Sequence, residues 1–585
     1  MSLLIAIPAR GGSKGLPGKN LRTAGGMTLV ARAVMTARRF VAQAGVADAV
    51  IFVDTDDRST AEEGRRWGAE VPFLRSPDLA LDGTSTVDAV LGALDRWRAA
   101  GREFDAVLLL QPTSPLRQAD DLAHCWARFA QGGASSVVGI VPTEHPVELA
   151  LRLAPDGTIS WIDAGSRASV RRQDFDGSWW ISGAVYVVSV EGIRRTRSFV
   201  DPGVTIGVPL DRRCSIDIDG ADDLEIADAI ARGARPKSAV IVGRELGGGA
   251  PCFVIAEAGV NHNGELELAH RLVDIAADAG ADAVKFQTFD PDALAAPDAP
   301  KAEYQADRTG SKESQLEMLR RLTLPLDGYR ALQAHATERG ILLLSTAFDP
   351  GSADFLEREL DLPAFKVPSG ELTNHSFLEH LARKGRPLLV STGMATLDEV
   401  GDALAVIAAA GGRVGALFHC VTNYPAAPED CNLRAMSTMR AAFGVPVGWS
   451  DHTEGIELSL AAVAAGAEIL EKHFTVDRTL PGPDHAASLE PGELKELMAG
   501  VRRIEAALGD GVKAPRPAEL PLAAVARRSL HTTRAMSAGT VLVAADLTAL
   551  RPGTGVSPAH LRQVLGRRLT RAVPAGAMLE ESDVA

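Results

Sequence analysis

The 585-residue sequence has few cysteines, no long apolar runs and no excess of positive charge. Its five cysteines, Cys125, Cys214, Cys252, Cys420 and Cys431, are an odd number without Cys-x-x-Cys spacing, which argues against a disulfide framework and a structural zinc site. No segment approaches the roughly 18 uninterrupted apolar residues that a spanning helix requires. The opening Met-Ser-Leu-Leu-Ile-Ala-Ile-Pro-Ala-Arg lacks a basic region before its short apolar run and ends in a glycine-rich turn. It reads as a strand rather than a signal peptide, so a cytoplasmic protein with no membrane partner is expected. The formal net charge of −14 disfavours nucleic acid, yet leaves room for a local basic pocket around a nucleotide or phosphorylated metabolite.

What is there is ordinary in composition, 46% hydrophobic and 23% charged, and too long for one hydrophobic core. An α/β chain of several domains is expected. Short Val/Ile/Leu runs at residues 3–7, 49–53, 106–110 and 136–141 alternate with amphipathic stretches, the pattern of a mostly parallel sheet covered by helices. A Gly- and Pro-rich break spans residues 232–251. Eight further strand candidates follow, at 253–256, 283–287, 341–345, 364–367, 388–391, 416–419, 445–448 and 469–473, the count and size of a (β/α)8 barrel. Beyond Ala514-Pro-Arg-Pro-Ala518 the turn-rich tail reads as a small β-rich domain. The expected division is 1–232, a linker and barrel entry over 233–251, 252–514, and 525–585.

Directly after the first strand comes Ile7-Pro-Ala-Arg-Gly-Gly-Ser-Lys-Gly-Leu-Pro-Gly-Lys-Asn20, which offers backbone amides with Arg10, Ser13, Lys14, Lys19 and Asn20. Glycines permit close approach to phosphate and fixed cations offset its charge. The Ser/Thr of a Walker loop is absent, and a turn with solvated lysines is the bland alternative. Leu109-Leu-Gln-Pro-Thr-Ser-Pro-Leu-Arg117 holds Gln111, whose amide both donates and accepts. In Ser215-Ile-Asp-Ile-Asp219, read as a strand, Asp217 and Asp219 share a face, and the alternating isoleucines favour a buried pair of oxygen ligands suited to magnesium over an exposed one.

These motifs resemble the CMP-sialic acid synthetases, nucleotidyltransferases with a Rossmann-like fold. The resemblance implies transfer of CMP from CTP to a sugar acid with release of pyrophosphate, Gln111 reading the cytosine, and Asp217 and Asp219 holding Mg2+. It adds Arg75 and Asp82 as nucleotide contacts, and Arg171 and Arg172 for the sugar's carboxylate, with a basic loop in solvent as the alternative.

In the barrel, polar residues recur at strand ends: Ala256-Glu-Ala-Gly-Val-Asn-His-Asn-Gly264, Lys285-Phe-Gln287, Ser345-Thr-Ala-Phe-Asp349, Lys366-Val-Pro-Ser-Gly-Glu371, Ser391-Thr-Gly-Met394, His419-Cys-Val-Thr-Asn-Tyr-Pro425, Ser450-Asp-His-Thr453 and Glu471-Lys-His-Phe-Thr475. In this order they resemble the sialic acid synthases, including their terminal antifreeze-like (SAF) domain. That resemblance implies condensation of phosphoenolpyruvate with an N-acylmannosamine-type sugar around Mn2+ or another divalent ion. It assigns the metal to His419 and His452, phosphate and carboxylate to Lys285, Lys366, Ser369 and Ser391, and proton transfer or sugar hydroxyls to Glu257 and Glu371. Gln287, Thr346, Asn423, Tyr424, Asp477 and His485 join the cavity wall. Arg551 would meet the N-acyl group from a SAF domain swapped over the partner's barrel in a homodimer or larger assembly. The same chemistry on legionaminic, pseudaminic or eight-carbon ulosonic acids, or one half acting as a regulatory module, are the alternatives.

Overall fold

The computed structural model describes the whole chain except residues 14, 82, 144–149, 163–178, 234–237, 242, 303–304, 307 and 309–312 and the side chain of Ser215. It divides into two compact units, Met1–Ala507 and Leu508–Ala585.

The first unit opens with a six-stranded sheet: β1 (Leu3–Pro8), β2 (Ala49–Asp54), β3 (Ala106–Leu109), β4 (Ser136–Pro142), β5 (Trp179–Ser189) and β6 (Ile206–Pro209). Their order is β6-β4-β5-β3-β1-β2, and only β5 runs antiparallel to its neighbours β3 and β4. The four expected strands are present. β5 and β6 carried no sequence expectation. The helix Leu29–Ala44 starts where the Thr28 side chain accepts from Ala31 N and stops at Gly45, whose φ of 60° suits a residue without Cβ. Its apolar stripe, Val30, Val34 and Phe40 included, packs into the main core.

The barrel closes from β7 (Phe253–Gly259), β8 (Ala283–Thr288), β9 (Leu342–Ala347), β10 (Phe365–Val367), β11 (Pro387–Ser391), β12 (Arg413–Cys420), β13 (Val447–Asp451) and β14 (Ile469–His473), each paired to the next and β14 to β7. Covered on both sides, the strands read as continuous apolar runs, which explains why the sequence showed them without alternation. Phe253, Ile255, Leu344, Leu389, Phe418 and Ile469 fill the interior. The stretch expected as a linker forms a hairpin, Ala239–Ile241 with Arg244–Leu246, whose buried Ile241 and Leu246 join that same interior cluster. Apolar packing thus occupies the base and leaves the polar residues at the strands' carboxyl ends.

In the second unit β15 (Ser529–Thr532) pairs antiparallel with β16 (Leu547–Leu550). Leu530, Leu542, Val556, Leu569 and Leu579 form its own small core. Arg551 is exposed on this unit.

Candidate active sites

At the carboxyl end of the first sheet, β1 feeds the loop of residues 9–19. Lys19 Nζ donates to Ile218 O at 2.7 Å and lies 3.9 Å from Asp219 Oδ1, while Asn20 Nδ2 donates to Arg10 O at 2.9 Å. The loop presses on the acidic segment: a Cβ at Gly15 would fall 2.4 Å from Asp219 O. Ser13 is half-buried in the same loop. The segment holding Asp217 and Asp219 is not the expected strand. It follows a 3-10 turn, Arg212–Ser215, and is tied down by Ile218 N donating to Thr113 O at 2.8 Å. Period-two alternation survives with the opposite sense: Ile216 and Ile218 turn inward, and both carboxylates are exposed, correcting the expectation of a buried pair. Two exposed carboxylates beside a phosphate-type loop fit a magnesium ion that retains water and phosphate ligands.

Gln111 stands at the end of β3, with Oε1 3.6 Å from where a Cβ at Gly183 would lie. Gly183 has φ 75° and leaves β5 flat against the amide. Arg117, buried, donates to the carbonyls of Ser114 and Gln111 and so braces this turn from behind. Burial lowers its pKa to about 10, still charged at neutral pH. Arg75 is not presented to a nucleotide: its buried guanidinium donates to Asp54 Oδ2 at 2.9 Å and Asp54 O at 2.8 Å. Lys14, Asp82, Arg171 and Arg172 lie outside the described residues.

The barrel mouth encloses a cavity of about 310 Å3. Strand alternation aims Glu257, Lys285, Gln287, Thr346, Lys366, Ser391, Ser450, Glu471 and His473 into it, together with Ser369, Thr422, Tyr424 and His452 from strand-end loops. At its floor Lys285 Nζ lies 2.7 Å from Glu257 Oε2, 3.6 Å from Glu471 Oε2, and donates to Thr346 Oγ1 at 2.9 Å. Lys366 Nζ donates to Glu471 Oε1 at 3.0 Å, and Ser450 Oγ donates to the same oxygen at 2.9 Å. Burial pushes Glu257 up to about 7, opposed by Lys285 and reinforced by the Glu471 charge. Burial also disfavours ionised Glu471, but the ammonium groups of Lys285 and Lys366 outweigh it and hold its pKa below the ordinary carboxylate value. The floor is therefore two cations, one firm carboxylate and one carboxyl that titrates near neutrality.

The histidine pairing differs from expectation. His419 is one residue out of phase with the inward Phe418 and Cys420. It lies across from Trp449, bonds Cys431 O through Nε2 at 2.9 Å, and lines a separate cavity of about 420 Å3. The partner of His452 is His473, their ring centroids 5.7 Å apart. His452 Nδ1 donates to Val421 O at 2.5 Å, which leaves the Nε2 lone pair facing the cavity, where Tyr424 OH lies at 3.0 Å. His473 Nδ1 is buried without a hydrogen-bond partner. Burial brings His452 down to about 4 and His473 well below 6.5, so both rings are neutral. Two neutral imidazoles, one oriented by a backbone carbonyl and one with an orphaned nitrogen, fit a divalent cation. Among the described residues no group of three or more His, Cys, Asp or Glu side chains is suited to a metal, so water or substrate oxygens would complete the shell.

Other expected wall residues fall outside the cavity. Glu371 accepts from Asn374 Nδ2 at 2.7 Å, Asp477 is exposed and holds Thr479, and Asn423 is exposed while its neighbour Thr422 lines the wall. His485 is buried against Thr475 Oγ1 at 2.6 Å. Glu471, His473, Ser450 and Thr422, though within the strand-end motifs, carried no individual role. The signal for the first two was present: Glu471 and His473 are two apart on a strand already assigned, as are Glu257 and Gly259 on the strand beside it.

Three family models match successive parts of the chain. A cytidylyltransferase model matches residues 4–149, the NeuB family model residues 272–513 and a SAF domain model residues 527–585. An N,N'-diacetyllegionaminic acid synthase of Legionella pneumophila is 45% identical over 337 residues, 57% of this chain and 94% of that protein. Human N-acetylneuraminate-9-phosphate synthase is 37% identical over 330 residues, 56% of this chain and 91% of its own length. The crystal structure of an N-acetylneuraminic acid synthetase from Leptospira borgpetersenii aligns at 34% identity over 49% of this chain and 96% of that one, with a TM-score of 0.44. The chain belongs to the NeuB family, and it joins that synthase module and its SAF domain to an N-terminal cytidylyltransferase.

Proposed function

We propose that the barrel condenses phosphoenolpyruvate with the open-chain aldehyde of an N-acylated, mannosamine-type sugar, and that the N-terminal domain transfers CMP from CTP to the resulting nine-carbon acid. The observation that carries the first step is the shared cavity of Lys285, Lys366, Glu257, Glu471, His452 and His473. Lys285 and Lys366 would bind the phosphate and carboxylate of phosphoenolpyruvate, with Thr346, Ser369 and Ser391 supplying hydroxyl donors. His452 and His473 would hold a divalent cation, manganese by expectation, whose chemistry is Lewis acidity toward the aldehyde oxygen. Carbon 3 of phosphoenolpyruvate attacks the aldehyde carbon, water adds at carbon 2, and phosphate leaves. Glu257, with its raised pKa, would take the proton from that water.

In the N-terminal domain, Arg10, Lys19 and the loop amides would cradle the triphosphate while Gln111 reads cytosine. Asp217 and Asp219 would hold magnesium, which offsets charge on the departing pyrophosphate. The acid's anomeric hydroxyl attacks the α-phosphorus directly.

One observation favours a particular sugar. Identity is 45% to two N,N'-diacetyllegionaminic acid synthases, 37% to the human N-acetylneuraminate-9-phosphate synthase and 32% to a pseudaminic acid synthase. A substrate carrying two N-acyl groups is the reading this supports. Phosphate release from phosphoenolpyruvate should be faster with a bis-N-acetylated sugar than with N-acetylmannosamine; the reverse order of kcat/KM refutes it.

A further inference from the structure

The two catalytic domains meet along a seam built from both. On the N-terminal side the helix Leu29–Ala44 and the neighbouring helix Arg58–Arg66 present arginines; on the barrel side stand the helices Leu397–Ala409 and Ala435–Phe443. Arg38 pairs with Asp402, and Arg66 Nη2 with Asp398 Oδ1 at 2.6 Å. Helix Ala435–Phe443 ends with carbonyls that have no intrahelical partner. Arg32 donates to Ala441 O at 3.3 Å and Arg39 to Ala442 O at 3.4 Å, so the N-terminal domain caps a barrel helix where the helix dipole favours cations. The same Arg32 guanidinium donates to Ala24 O at 3.0 Å, in the hairpin after the phosphate loop, and to Pro115 O at 3.1 Å, in the Gln111 turn.

The fit is close. A Cβ at Gly26, where φ is 81°, would lie 2.3 Å from Thr438 Cγ2, and one at Gly401 would lie 3.2 Å from Met35 and Trp67. A continuous cluster of buried apolar side chains runs from Leu3 and Val34 in one domain to Val400 and Phe443 in the other. Domains in one chain ordinarily meet through smaller, polar contacts that permit independent motion. Here a shared core, helix capping and ion pairs coincide. We propose that the cytidylyltransferase and the synthase barrel form a single cooperative folding unit, so that a nucleotide bound in one domain stabilises the other. By linkage, a ligand that binds only the folded form raises the stability of everything that unfolds with it.

Calorimetry on the full chain tests this without reference to activity. One transition is expected for residues 1–507. Reversing the barrel side, Asp398→Arg with Asp402→Arg, should split it into two transitions about 5 °C or more apart. Adding Arg38→Asp and Arg66→Asp, which restores opposite charges, should merge them again and shows that the reversed protein was not simply misfolded. Separate transitions in the wild type, or a reversed variant with an unchanged profile, overturn the proposal. Magnesium and CTP, the arm that rests on the proposed function, should raise the midpoint of the single transition. A rise confined to a separate N-terminal transition overturns the coupling, whereas a single transition with no rise counts against the nucleotide reading and leaves the seam standing.

Discussion

In the proposed condensation, the imidazole pair and Glu257 are the single side chains on which the chemistry would turn. His473→Ala removes the ring beside His452 and should lower condensation at least about 100-fold, with manganese binding lost in calorimetric titration. His419→Ala, which alters the other cavity, should keep condensation within a few-fold; the opposite ranking would restore the sequence-based pairing. Sequence alone missed this because His419 opens one polar motif and His452 lies within another, and only strand phase tells which histidine faces inward. Glu257 gives a pH signature. Its folded pKa, about 7, lies above the ordinary value of 4.5, so as pH rises the unfolded chain gives up this proton first. The group's contribution to stability is complete below about pH 4.5 and is lost as pH rises through 7. Glu257→Gln cannot titrate, so urea unfolding at pH 5 and pH 8 should show the variant gaining on the wild type by roughly 2–3 kcal/mol. A difference independent of pH would contradict the assignment.

Strands set these positions, and a buried ion pair holds two of them together. Lys472 Nζ lies 3.1 Å from Asp451 Oδ2, both nearly inaccessible, and donates to Thr453 O at 2.6 Å. The two residues are cross-strand partners, each one position before a cavity histidine. Asp451 also accepts from Thr453 and Ser459. Lys472→Met leaves that carboxylate buried without its cation and should cost about 3–5 kcal/mol. Manganese affinity should fall about 10–100-fold because the imidazoles lose their spacing, and Lys472→Arg should recover part of it. Equal affinity in the Met variant would make the pair structural only. In the N-terminal sheet, Gly183→Ala forces a side chain into a left-handed position beside Gln111. Stability should drop by about 1 kcal/mol and the KM for CTP should rise; an unchanged KM would place the base elsewhere.

The eight barrel strands were legible because parallel strands buried on both faces are short continuous apolar runs separated by helices. β5 was not: an antiparallel strand interrupted by a glycine at positive φ, with Trp179 and Trp180 exposed, shows neither alternation nor a continuous run. The acidic segment around Asp217 failed in the reverse direction, since its alternation is real but belongs to an extended connection packed by the two isoleucines.

At the scale of the whole molecule, domain order was readable because each domain closes its own hydrophobic pattern, while the seam was not, because Arg32, Arg38, Asp398 and Asp402 look like ordinary exposed helix charges in sequence. Neither does the sequence show that the hairpin before β7 plugs the barrel. Joining the two modules fixes their sites at equal numbers, and the seam makes their stabilities common. The central claim is that this one chain makes a sugar acid and then activates it. Purified protein given phosphoenolpyruvate, CTP, magnesium, manganese and an N-acylated amino sugar should release phosphate first and pyrophosphate after it, ending with a CMP-sugar. Asp217→Ala should stop only pyrophosphate and His473→Ala both products, the latter rescued for pyrophosphate by supplying the finished sugar acid. Phosphate without pyrophosphate in the wild type, or no rescue in the His473 variant, would contradict the account.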